Sequence, residues 1–578
     1  MENLLAGLNN KQKEAVSRYD GPSVILAGAG SGKTRALVAK VIHLIRERNI
    51  SPKSILMITF TNKAASEMKA RIGDYSLGFI GTFHSFCVRI LRIETEAAGL
   101  KDNFVIYDDD DQAALVKSII KDYGKKYTAS YFINRISSAK NQLITPVRYL
   151  EMFGSYSANV DVGKVYAKYQ AELKENNAVD FDDLIMLTVQ LFKKNKHILN
   201  KYQEKYRYIL VDEFQDTNAA QYELTRLLGE KYKNVTVVGD FSQSIYSWRG
   251  AEITNLDKFK NDFPGTASYL LEQNYRSSQK ILDFAYSVIS KNTTHPVLHL
   301  FTNNRGGEEI IFYEAESEEE EALYISMNIE NLHKKYPYDQ MAVLYRTNAQ
   351  SRSLEEAFLH RGIPYMLVGG TRFYERREIK DILGMLRLLV NPVDKVSGER
   401  IQKLGKRRWA QFKEFYDQNK EEIEGKQTAD LIAQALESTG YMNLFDPDNE
   451  EDYSRIENIK ELKSVAVLYP DLTSFLEQVA LVESEYFAGE KRSREGVRLM
   501  TLHQAKGLEF KAVFIAGVEE GILPHGRSVD DPYALEEERR LFYVGVTRAK
   551  DNLYISWARR RFIYGRRGEA TKSRFLDE

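Results

Sequence analysis

A glycine-rich turn near the start of the chain constrains the possible fold more than any other feature. Residues 27–34 read Ala-Gly-Ala-Gly-Ser-Gly-Lys-Thr, after the apolar run 24–26 and before the helix-like run 35–40. In a strand, loop and helix of this order, backbone N–H groups and the positive end of the helix dipole face a phosphate. We therefore expect an α/β domain with a parallel sheet that binds and hydrolyses a nucleotide.

The last two residues of this turn have the side chains that a triphosphate site needs. Lys33 can reach the β- and γ-phosphate oxygens, and Thr34 can ligate Mg²⁺. The expected phosphate-site residues are Ala27, Gly28, Ala29, Gly30, Ser31, Gly32, Lys33, Thr34 and Arg35. Ala27 departs from the glycine that usually opens this pattern. A flexible loop at a strand end is the simpler alternative, but it does not explain Lys-Thr at the required position.

A second apolar run, residues 208–211, ends in two adjacent carboxylates. Asp212 would belong to the Mg²⁺ shell, and Glu213 would polarise the attacking water. An Asp-Glu pair is also common at solvated strand ends. After a phosphate loop and an apolar strand, however, the pattern favours the second element of a nucleotide hydrolase.

Length and composition indicate a multidomain globular chain. The 578 residues exceed what one hydrophobic core supports and suggest roughly three or four domains. No apolar stretch approaches the roughly 18 residues of a membrane span, and the N-terminus lacks a basic-then-apolar signal, so we expect a cytoplasmic protein without a membrane partner. The single cysteine, Cys87, excludes an internal disulfide, and no Cys/His spacing indicates a structural metal. With a net charge of -1, a nucleic-acid surface must come from local patches.

Short apolar runs that are typical of buried parallel strands fall into two sets. The first set comprises residues 24–26, 55–60, 208–211, 235–238 and 269–271. The second set comprises residues 310–313, 342–345, 497–499, 513–515 and 553–555. Each set predicts one α/β domain.

Helical spacing interrupts each α/β domain once. Leu115, Ile119 and Tyr123 show it in the first half, and Leu472, Phe475, Leu476 and Val479 show it in the second. We expect the acidic runs 108–111 and 316–321 to cap helix N-termini rather than to bind metal. The predicted boundaries are 1–91 with 184–276 for the first α/β domain, 92–183 for its insertion, 277–390 with 496–578 for the second α/β domain, and 391–495 for its insertion.

Further segments of the chain match the ordered motifs of one protein family: 8–12 (Q motif), 58–65 (motif Ia), 81–85, 238–250 (motif III), 273–277 (motif IV), 501–510 (motif V) and 538–549 (motif VI). Together with the phosphate loop and the Asp-Glu pair, these segments make the chain resemble, nearly from end to end, the superfamily 1 DNA helicases of the UvrD/PcrA/Rep type. The resemblance implies two RecA-like P-loop NTPase domains, each with a helical insertion.

The resemblance also implies ATP as the nucleotide and assigns roles around it. Gln12 would read adenine and Tyr275 would stack on it, whereas Glu509 and Lys506 would help bind ribose, phosphate or DNA. Gln243 would sense the γ-phosphate, Arg276 would contact it, and Arg548 would act as an arginine finger from the second α/β domain. The implied catalytic set is Lys33, Glu213, Gln243, Arg276 and Arg548.

For DNA, the resemblance points to aromatic and polar residues on loops, where bases can stack. The expected contacts are Phe60, Asn62, His84, Tyr246, Trp248 and Arg249. Residues 558–565 match the position of a hairpin that splits the duplex, with Tyr564 at its tip. Partly buried packing for the aromatics, and an ordinary strand turn with solvated arginines for 558–565, are the alternatives.

The implied function is an ATP-dependent translocase that moves 3′ to 5′ along single-stranded DNA and unwinds 3′-tailed duplex in repair or replication, as a monomer. The alternative is a DNA-stimulated ATPase that displaces proteins or regulates a partner without productive unwinding. Three departures from the family bear on this choice. Motif III reads Gly-Asp-Phe-Ser-Gln at 239–243 instead of Gly-Asp-Asp-Asp-Gln, the second insertion is shortened around 403–424, and we expect no C-terminal partner-binding tail.

Overall fold

The computed structural model describes residues 7–123, 127–489, 495–563 and 566–578. The chain divides into two compact units, and each is described by itself. The first unit contains residues 1–275 and 292–303, and the second contains residues 276–291 and 304–578.

The first unit alternates strands and helices. Its helices are α1 (Asn10–Ser17), α2 (Lys33–Arg46), α3 (Asn62–Ile72), α4 (Phe83–Ile93), α5 (Asp109–Ile119), α6 (Ala129–Asn141), α7 (Pro146–Phe153), α8 (Ser157–Glu175), α9 (Phe181–Lys194), α10 (Lys196–Lys205), α11 (Ala219–Gly229) and α12 (Asn255–Asp262). Its strands are β1 (Ser23–Ala27), β2 (Ile55–Thr59), β3 (Phe79–Thr82), β4 (Val105–Ile106), β5 (Ala178–Val179), β6 (Tyr208–Val211), β7 (Val235–Gly239), β8 (Ala267–Leu271), β9 (Gln273–Asn274) and β10 (Phe301–Thr302).

A six-stranded parallel sheet organises this unit, in the order β3-β2-β6-β7-β1-β8. Every residue of β1, β2 and β7 is buried. Side chains that alternate along a strand enter two hydrophobic clusters, for example Val24 in one and Ile25 in the other. The sheet is therefore covered by helices on both faces, as all-parallel sheets require.

The helices α5 to α8, here called the first insertion, have a hydrophobic core of their own. It includes Val116, Phe132, Val165 and Leu173 and does not include residues of the six-stranded sheet. The acidic residues 109–111 lie in the first turn of α5, and the side chain of Asp108 caps it. This confirms the predicted role of that acidic run.

The second unit repeats the layout. Its helices are α13 (Gln279–Ile289), α14 (Glu318–His333), α15 (Ser351–His360), α16 (Arg377–Val390), α17 (Lys395–Gln402), α18 (Lys406–Asn419), α19 (Thr428–Thr439), α20 (Glu450–Leu468), α21 (Leu472–Gly489) and α22 (Pro532–Val546). Its strands are β11 (Ile311–Ala315), β12 (Met341–Tyr345), β13 (Tyr365–Leu367), β14 (Val497–Thr501), β15 (Phe510–Ile515), β16 (Ala549–Ala558), β17 (Arg560–Ile563) and β18 (Arg566–Glu569).

Six of these strands form a second parallel sheet, in the order β11-β16-β15-β12-β14-β13. The helices α17 to α21, here called the second insertion, pack differently from the first. Phe412, Leu431, Leu462 and Phe475 belong to the same continuous hydrophobic cluster as Val343 and other side chains of the sheet. Among its described residues, this insertion therefore shares the core of the second sheet.

The α/β class and the two parallel sheets predicted from the sequence are confirmed. All ten predicted strand runs are strands, with ends that differ by a few residues. Two sheet strands were not predicted, β3 and β13. One segment also differs from the predicted boundaries, because residues 292–303 return to the first unit, where β10 pairs with β9.

Within the described ranges, no single helix is long and apolar enough to cross a membrane. Only Glu450–Leu468 and Leu472–Val482, a pair bent by 117°, reach that length and composition together. Among the same residues, no group of three or more His, Cys, Asp or Glu side chains gathers as a metal site.

Candidate nucleotide and nucleic-acid site

The candidate residues of the first unit follow the carboxyl ends of its parallel strands. These ends lie on one edge of the sheet, with neighbouring strands about 4.8 Å apart. Strand order places His84 after β3, Phe60 after β2, Glu213 after β6, Gln243 after β7, and the phosphate loop after β1. Two of the expected DNA contacts, His84 and Phe60, thus lie on one side of Asp212 and Glu213 along this edge, and the phosphate loop lies on the other side.

The phosphate loop has the backbone of an anion site. Gly30 and Gly32 have φ angles of 64° and 78°, in the left-handed region that favours glycine. Helix α2 begins at Lys33, and no side chain caps its N-terminus. The first N–H groups of this helix are therefore directed to the loop, where a phosphate can accept from them.

Gly28 is required for a different reason. A Cβ atom there would lie 2.3 Å from the Leu300 side chain. Leu300 belongs to residues 292–303, the segment of the first unit that follows α13. This segment therefore packs directly against the phosphate loop. Ala27 is the last residue of β1 and does not have a positive φ, so its backbone conformation does not require glycine.

Gln243, the expected γ-phosphate sensor, is connected to Lys33 through Asp240. The Lys33 ammonium lies 3.8 Å from a carboxylate oxygen of Asp240. The amide of Gln243 donates to the same carboxylate at 2.6 Å. These residues are nearly or fully buried, so their charges act at short range in a medium that screens them less than water does.

Glu213 is held in an unusual backbone conformation directly after β6. Its φ and ψ are 51° and 41°, in the left-handed region that costs free energy for a residue with a Cβ atom. Its carboxylate accepts from the Gln215 amide at 2.6 Å, and the Gln215 amide oxygen accepts from the Asp240 N–H at 3.0 Å. Gln215 therefore links the two acidic segments.

Asp212 has the properties of a cation ligand. Its Oδ1 atom is buried and has no hydrogen-bond partner. Burial and the neighbouring Glu213 raise the pKa of Asp212 to about 7, while Lys33 acts in the opposite direction. A buried carboxylate oxygen without a partner and the hydroxyl of Thr34 are hard oxygen donors that fit Mg²⁺. The donor set thus suits the expected metal.

The residues expected around the base form a hydrogen-bonded group. Asn9 donates to Gln273 at 3.1 Å and to the Tyr275 hydroxyl at 3.0 Å, and the Tyr275 side chain is 46 % exposed. Gln12 is buried, and its amide donates to the carbonyl oxygen of Ser31 at 2.9 Å. Gln12 thus contacts the phosphate loop, whereas the exposed ring of Tyr275 is available for stacking.

Three side chains after β7 form an aromatic and cationic cluster, in which Trp248 and Arg249 are exposed and Tyr246 is half-buried. The Tyr246 and Trp248 rings lie edge to face, with centroids 6.4 Å apart, and the Arg249 guanidinium lies 4.5 Å from the Trp248 ring centroid. Trp248 is 45 % exposed, although tryptophan usually buries most of its surface. Burial, and to a smaller extent Asp216, raises the pKa of Tyr246 to about 12, so this hydroxyl is neutral at physiological pH.

Near the other end of the same sheet edge, His84 has an aromatic partner that the sequence did not reveal. The His84 and Phe181 rings lie edge to face with centroids 5.9 Å apart, and Phe181 is 48 % exposed at the start of α9. Burial lowers the pKa of His84. Phe60 lies on the loop between β2 and α3, and Asn62, the first residue of α3, is exposed. The only sequence signal for Phe181 was its position between two aspartates, Asp180 and Asp182.

In the second unit, Arg276 and Glu509 are paired. The Arg276 Nε atom donates to Glu509 at 2.7 Å, and a second nitrogen donates to the Thr547 carbonyl oxygen at 3.2 Å. Lys550 also lies 2.7 Å from Glu509. Burial would raise the pKa of Glu509, but Lys550 and Arg276 hold it below its usual value.

Arg548 is 1 % exposed, and its own unit satisfies its guanidinium. It donates to the Val544 and Leu508 carbonyl oxygens at 2.9 and 3.2 Å and to the Thr547 hydroxyl at 3.0 Å. Nothing in this arrangement tests the arginine-finger role, which stays a prediction. Lys506 lies on the loop before β15 and is half-buried.

The expected strand-splitting hairpin has two paired strands. β17 and β18 are antiparallel, with Ile563 opposite Arg566. Tyr564 and Gly565 lie outside the described residues, so the structure does not bear on the predicted role of Tyr564.

Two family models cover nearly the whole chain. Residues 8–264 match the UvrD/REP helicase N-terminal domain. Residues 269–424 and 402–560 match the UvrD-like helicase C-terminal domain.

Curated relatives give the same result. The chain is 41% identical to the ATP-dependent DNA helicase PcrA of Bacillus subtilis (strain 168) over 636 residues, which covers 100% of this chain and 86% of the relative. It is also 41% identical over 638 residues to the protein of the same name from Staphylococcus epidermidis (strain ATCC 35984), with 100% and 87% covered. The chain therefore belongs to the superfamily 1 helicases of the UvrD/PcrA/Rep type.

Proposed function

We propose that this chain is an ATP-dependent DNA helicase that moves 3′ to 5′ along single-stranded DNA and unwinds the duplex ahead of it. The observation that supports this most is the order of groups along the first sheet edge. His84 and Phe60 follow β3 and β2, Glu213 follows β6, and the phosphate loop follows β1. ATP and a DNA strand can therefore both act on the segment that carries the catalytic carboxylate.

The nucleotide half of the site uses charge and backbone geometry. Lys33 and the N–H groups at the start of α2 bind the β- and γ-phosphates. Glu213 orients the attacking water and accepts its proton. Mg²⁺, held by Asp212 and Thr34, would neutralise charge on the phosphate oxygens. The strained backbone of Glu213 fixes the direction of its carboxylate.

Asp240 and Gln243 connect the nucleotide to the DNA contacts. Asp240 lies 3.8 Å from the Lys33 ammonium, and the Gln243 amide donates to Asp240. The aromatic cluster begins only three residues after Gln243. A γ-phosphate that competes for Lys33 weakens the pair between Lys33 and Asp240. The resulting adjustment of the loop changes how Tyr246 and Trp248 present their rings to bases.

The remaining assignments follow the family resemblance. Tyr275 stacks on adenine, Gln12 supports the loop and the base, and Arg276, Glu509 and Arg548 contribute from the second unit's sequence. DNA is contacted by Phe60, Asn62, His84, Tyr246, Trp248 and Arg249, and we add Phe181 because it is exposed beside His84. Tyr564 would separate the strands. We expect a cytoplasmic monomer that acts on single-stranded and 3′-tailed duplex DNA in repair or replication.

ATP hydrolysis and unwinding by purified full-length protein test this proposal. Lys33→Ala and Glu213→Gln should each lower DNA-stimulated turnover by about 10²-fold or more, since one removes phosphate binding and the other removes the general base. The Glu213→Gln protein should still bind ATP, measured with a fluorescent analogue. Lys69→Ala, an exposed lysine on α3, is the matched control and should behave as wild type.

Substrate geometry tests the direction of movement. Duplexes with a 3′ tail should be unwound, and duplexes with only a 5′ tail should not. The opposite preference would overturn the assigned polarity. Stimulated ATPase that strips a bound protein from DNA but leaves a tailed duplex intact would favour the alternative, a protein-displacing translocase.

A further inference from the structure

The end of helix α6 joins the first insertion to the sheet-bearing part of the same unit through a buried charge cluster. The Lys140 ammonium is fully buried and lies 2.6 Å from Asp180 and 2.9 Å from Asp183. The Tyr169 hydroxyl donates to Asp180 at 3.0 Å, and the Gln170 amide donates to Asp183 at 3.1 Å. Burial alone would lower the pKa of Lys140, but Asp183 and Asp180 raise it above its usual value. The cluster is therefore ionic.

This cluster fixes the start of α9. Asp180 caps that helix, and its side chain accepts from the Asp183 N–H at 2.8 Å. Phe181, the exposed ring beside His84, lies between these two carboxylates in sequence. Lys140 thereby holds the backbone that presents Phe181.

The next residue, Asn141, contacts the end of the segment that starts at Glu213. Its side-chain oxygen accepts from the Asn218 amide at 2.6 Å. Asn218 caps α11 and ends the short segment that starts at Glu213. The carbonyl oxygen of Thr217, immediately before Asn218, accepts from the Glu252 N–H at 3.0 Å.

Asn141 also lies next to the end of the segment that carries the aromatic cluster. A Cβ atom on Gly250 would lie 3.6 Å from the Asn141 Cβ and 3.8 Å from the Asn218 Cβ. Gly250 directly follows Arg249 and has a φ of 83°. Three segments thus meet at one place: the end of α6, the segment after Glu213, and the segment after Trp248.

We propose that Asn141, fixed by the neighbouring Lys140 cluster, is a positioning residue that couples DNA binding to ATP hydrolysis through its hydrogen bond to Asn218. This rests on the proposed function, because it concerns the stimulation of the ATPase by DNA. A base that stacks on Trp248 displaces the segment that ends at Gly250. Asn141 and Asn218 pass that displacement to the segment of Glu213. Asn141 itself contacts neither ATP nor the attacking water.

A double-mutant cycle on the hydrogen bond tests the coupling. Asn141→Ala removes the acceptor, and Asn218→Ser removes the donor while serine still caps α11. Each should lower the DNA-stimulated kcat by about two- to tenfold, the effect of one hydrogen bond. The double variant should be no slower than the slower single variant, because both remove the same interaction. ATPase without DNA, and the Kd for single-stranded DNA, should change by less than about twofold.

Asn134→Ala, on the same helix, is the matched control and should keep the wild-type stimulation. The coupling role is overturned if the single effects multiply in the double variant. It is also overturned if ATPase without DNA falls as much as stimulated ATPase, since a purely structural role predicts that result. A wild-type ATPase that DNA does not stimulate would instead contradict the proposed function itself, and would be seen before any variant is made.

Discussion

The two helical insertions are joined to their sheets in different ways. The first insertion has its own hydrophobic core, and a buried ionic cluster around Lys140 attaches it to the sheet-bearing part. The second insertion shares one continuous core with the second sheet, so Leu462 and Val343 belong to the same cluster. Among the described residues, the first insertion can therefore be displaced as a body with its core closed, whereas displacement of the second insertion opens the core that it shares with the sheet.

Polar contacts reinforce the attachment of the second insertion. Arg376 donates to Asn458 on α20 at 2.8 Å, and Asn458 donates to Glu378 on α16 at 2.7 Å. Arg352 on α15 donates to Glu461 on α20 at 2.6 Å. Movement of the second insertion would break these bonds and expose apolar surface at about 25 cal/mol per Å². Insertions at matching places in two similar units can therefore differ in how firmly they are held to their sheets.

The largest expected effect comes from breaking the ionic junction. Lys140→Met leaves Asp180 and Asp183 buried without their cation, which should cost about 3–5 kcal/mol. Amide hydrogen exchange should show lost protection in α6 and at the start of α9, with the second unit unchanged. Arg407→Met, an exposed cation on α18, should leave exchange unaltered. Normal protection of α6 in Lys140→Met would show that the ionic cluster does not hold the insertion.

A matched pair of leucines tests whether each insertion is stabilised independently of its sheet. Leu173 is 2 % exposed in the first insertion, and Leu462 is 0 % exposed in the second. Each Leu→Ala substitution should cost about 2–5 kcal/mol, from lost burial and the cavity that remains. In Leu173→Ala, faster hydrogen exchange should stay within α5 to α8. In Leu462→Ala it should extend to β12 and β14 of the sheet.

The location of the effect decides this prediction. If Leu462→Ala accelerated exchange only in α17 to α21, the second insertion would unfold separately from the sheet. The shared core would then not make the two parts unfold together. If Leu173→Ala accelerated exchange throughout the first sheet, the first insertion would not be an independent unit.

Two buried tyrosines give the smallest expected effect. The Tyr169 hydroxyl donates to Asp180 at 3.0 Å, and the Tyr441 hydroxyl donates to Asp381 at 2.8 Å. Tyr→Phe at either position removes one hydrogen bond to a carboxylate and should cost about 1–3 kcal/mol. Denaturant unfolding should show a lower free energy of unfolding for the first unit in Tyr169→Phe and for the second unit in Tyr441→Phe. Loss of stability in the opposite unit would contradict the assignment of contacts.

The sequence predicted the sheets well because buried parallel strands are continuous apolar runs with turn residues at their ends. It missed β13, which has only three residues, and β3, in which Gly81 and Thr82 interrupt the apolar run. Periodicity predicted both insertions but not how they pack. Whether a helix face meets the sheet or another helix depends on long-range geometry that a local pattern does not contain.

The candidate site shows the same limit. The phosphate loop, Asp212 and Glu213 were predictable because their chemistry is contiguous in the chain. The contact of Phe181 with His84 and the pairing of Lys140 with Asp180 join residues 97 and 40 positions apart. Among the 81 Lys and Arg residues and 82 Asp and Glu residues of the chain, no sequence signal selects such pairs.

The left-handed backbone of Glu213 has a consequence for laboratory evolution of this protein. Glycine at this position would relieve the steric penalty, so a selection for heat resistance alone would reward Glu213→Gly. Variants selected in that way would gain thermal stability and lose ATP hydrolysis at the same time. Directed evolution of a more thermostable helicase must therefore assay ATP hydrolysis in every round and keep this position unchanged.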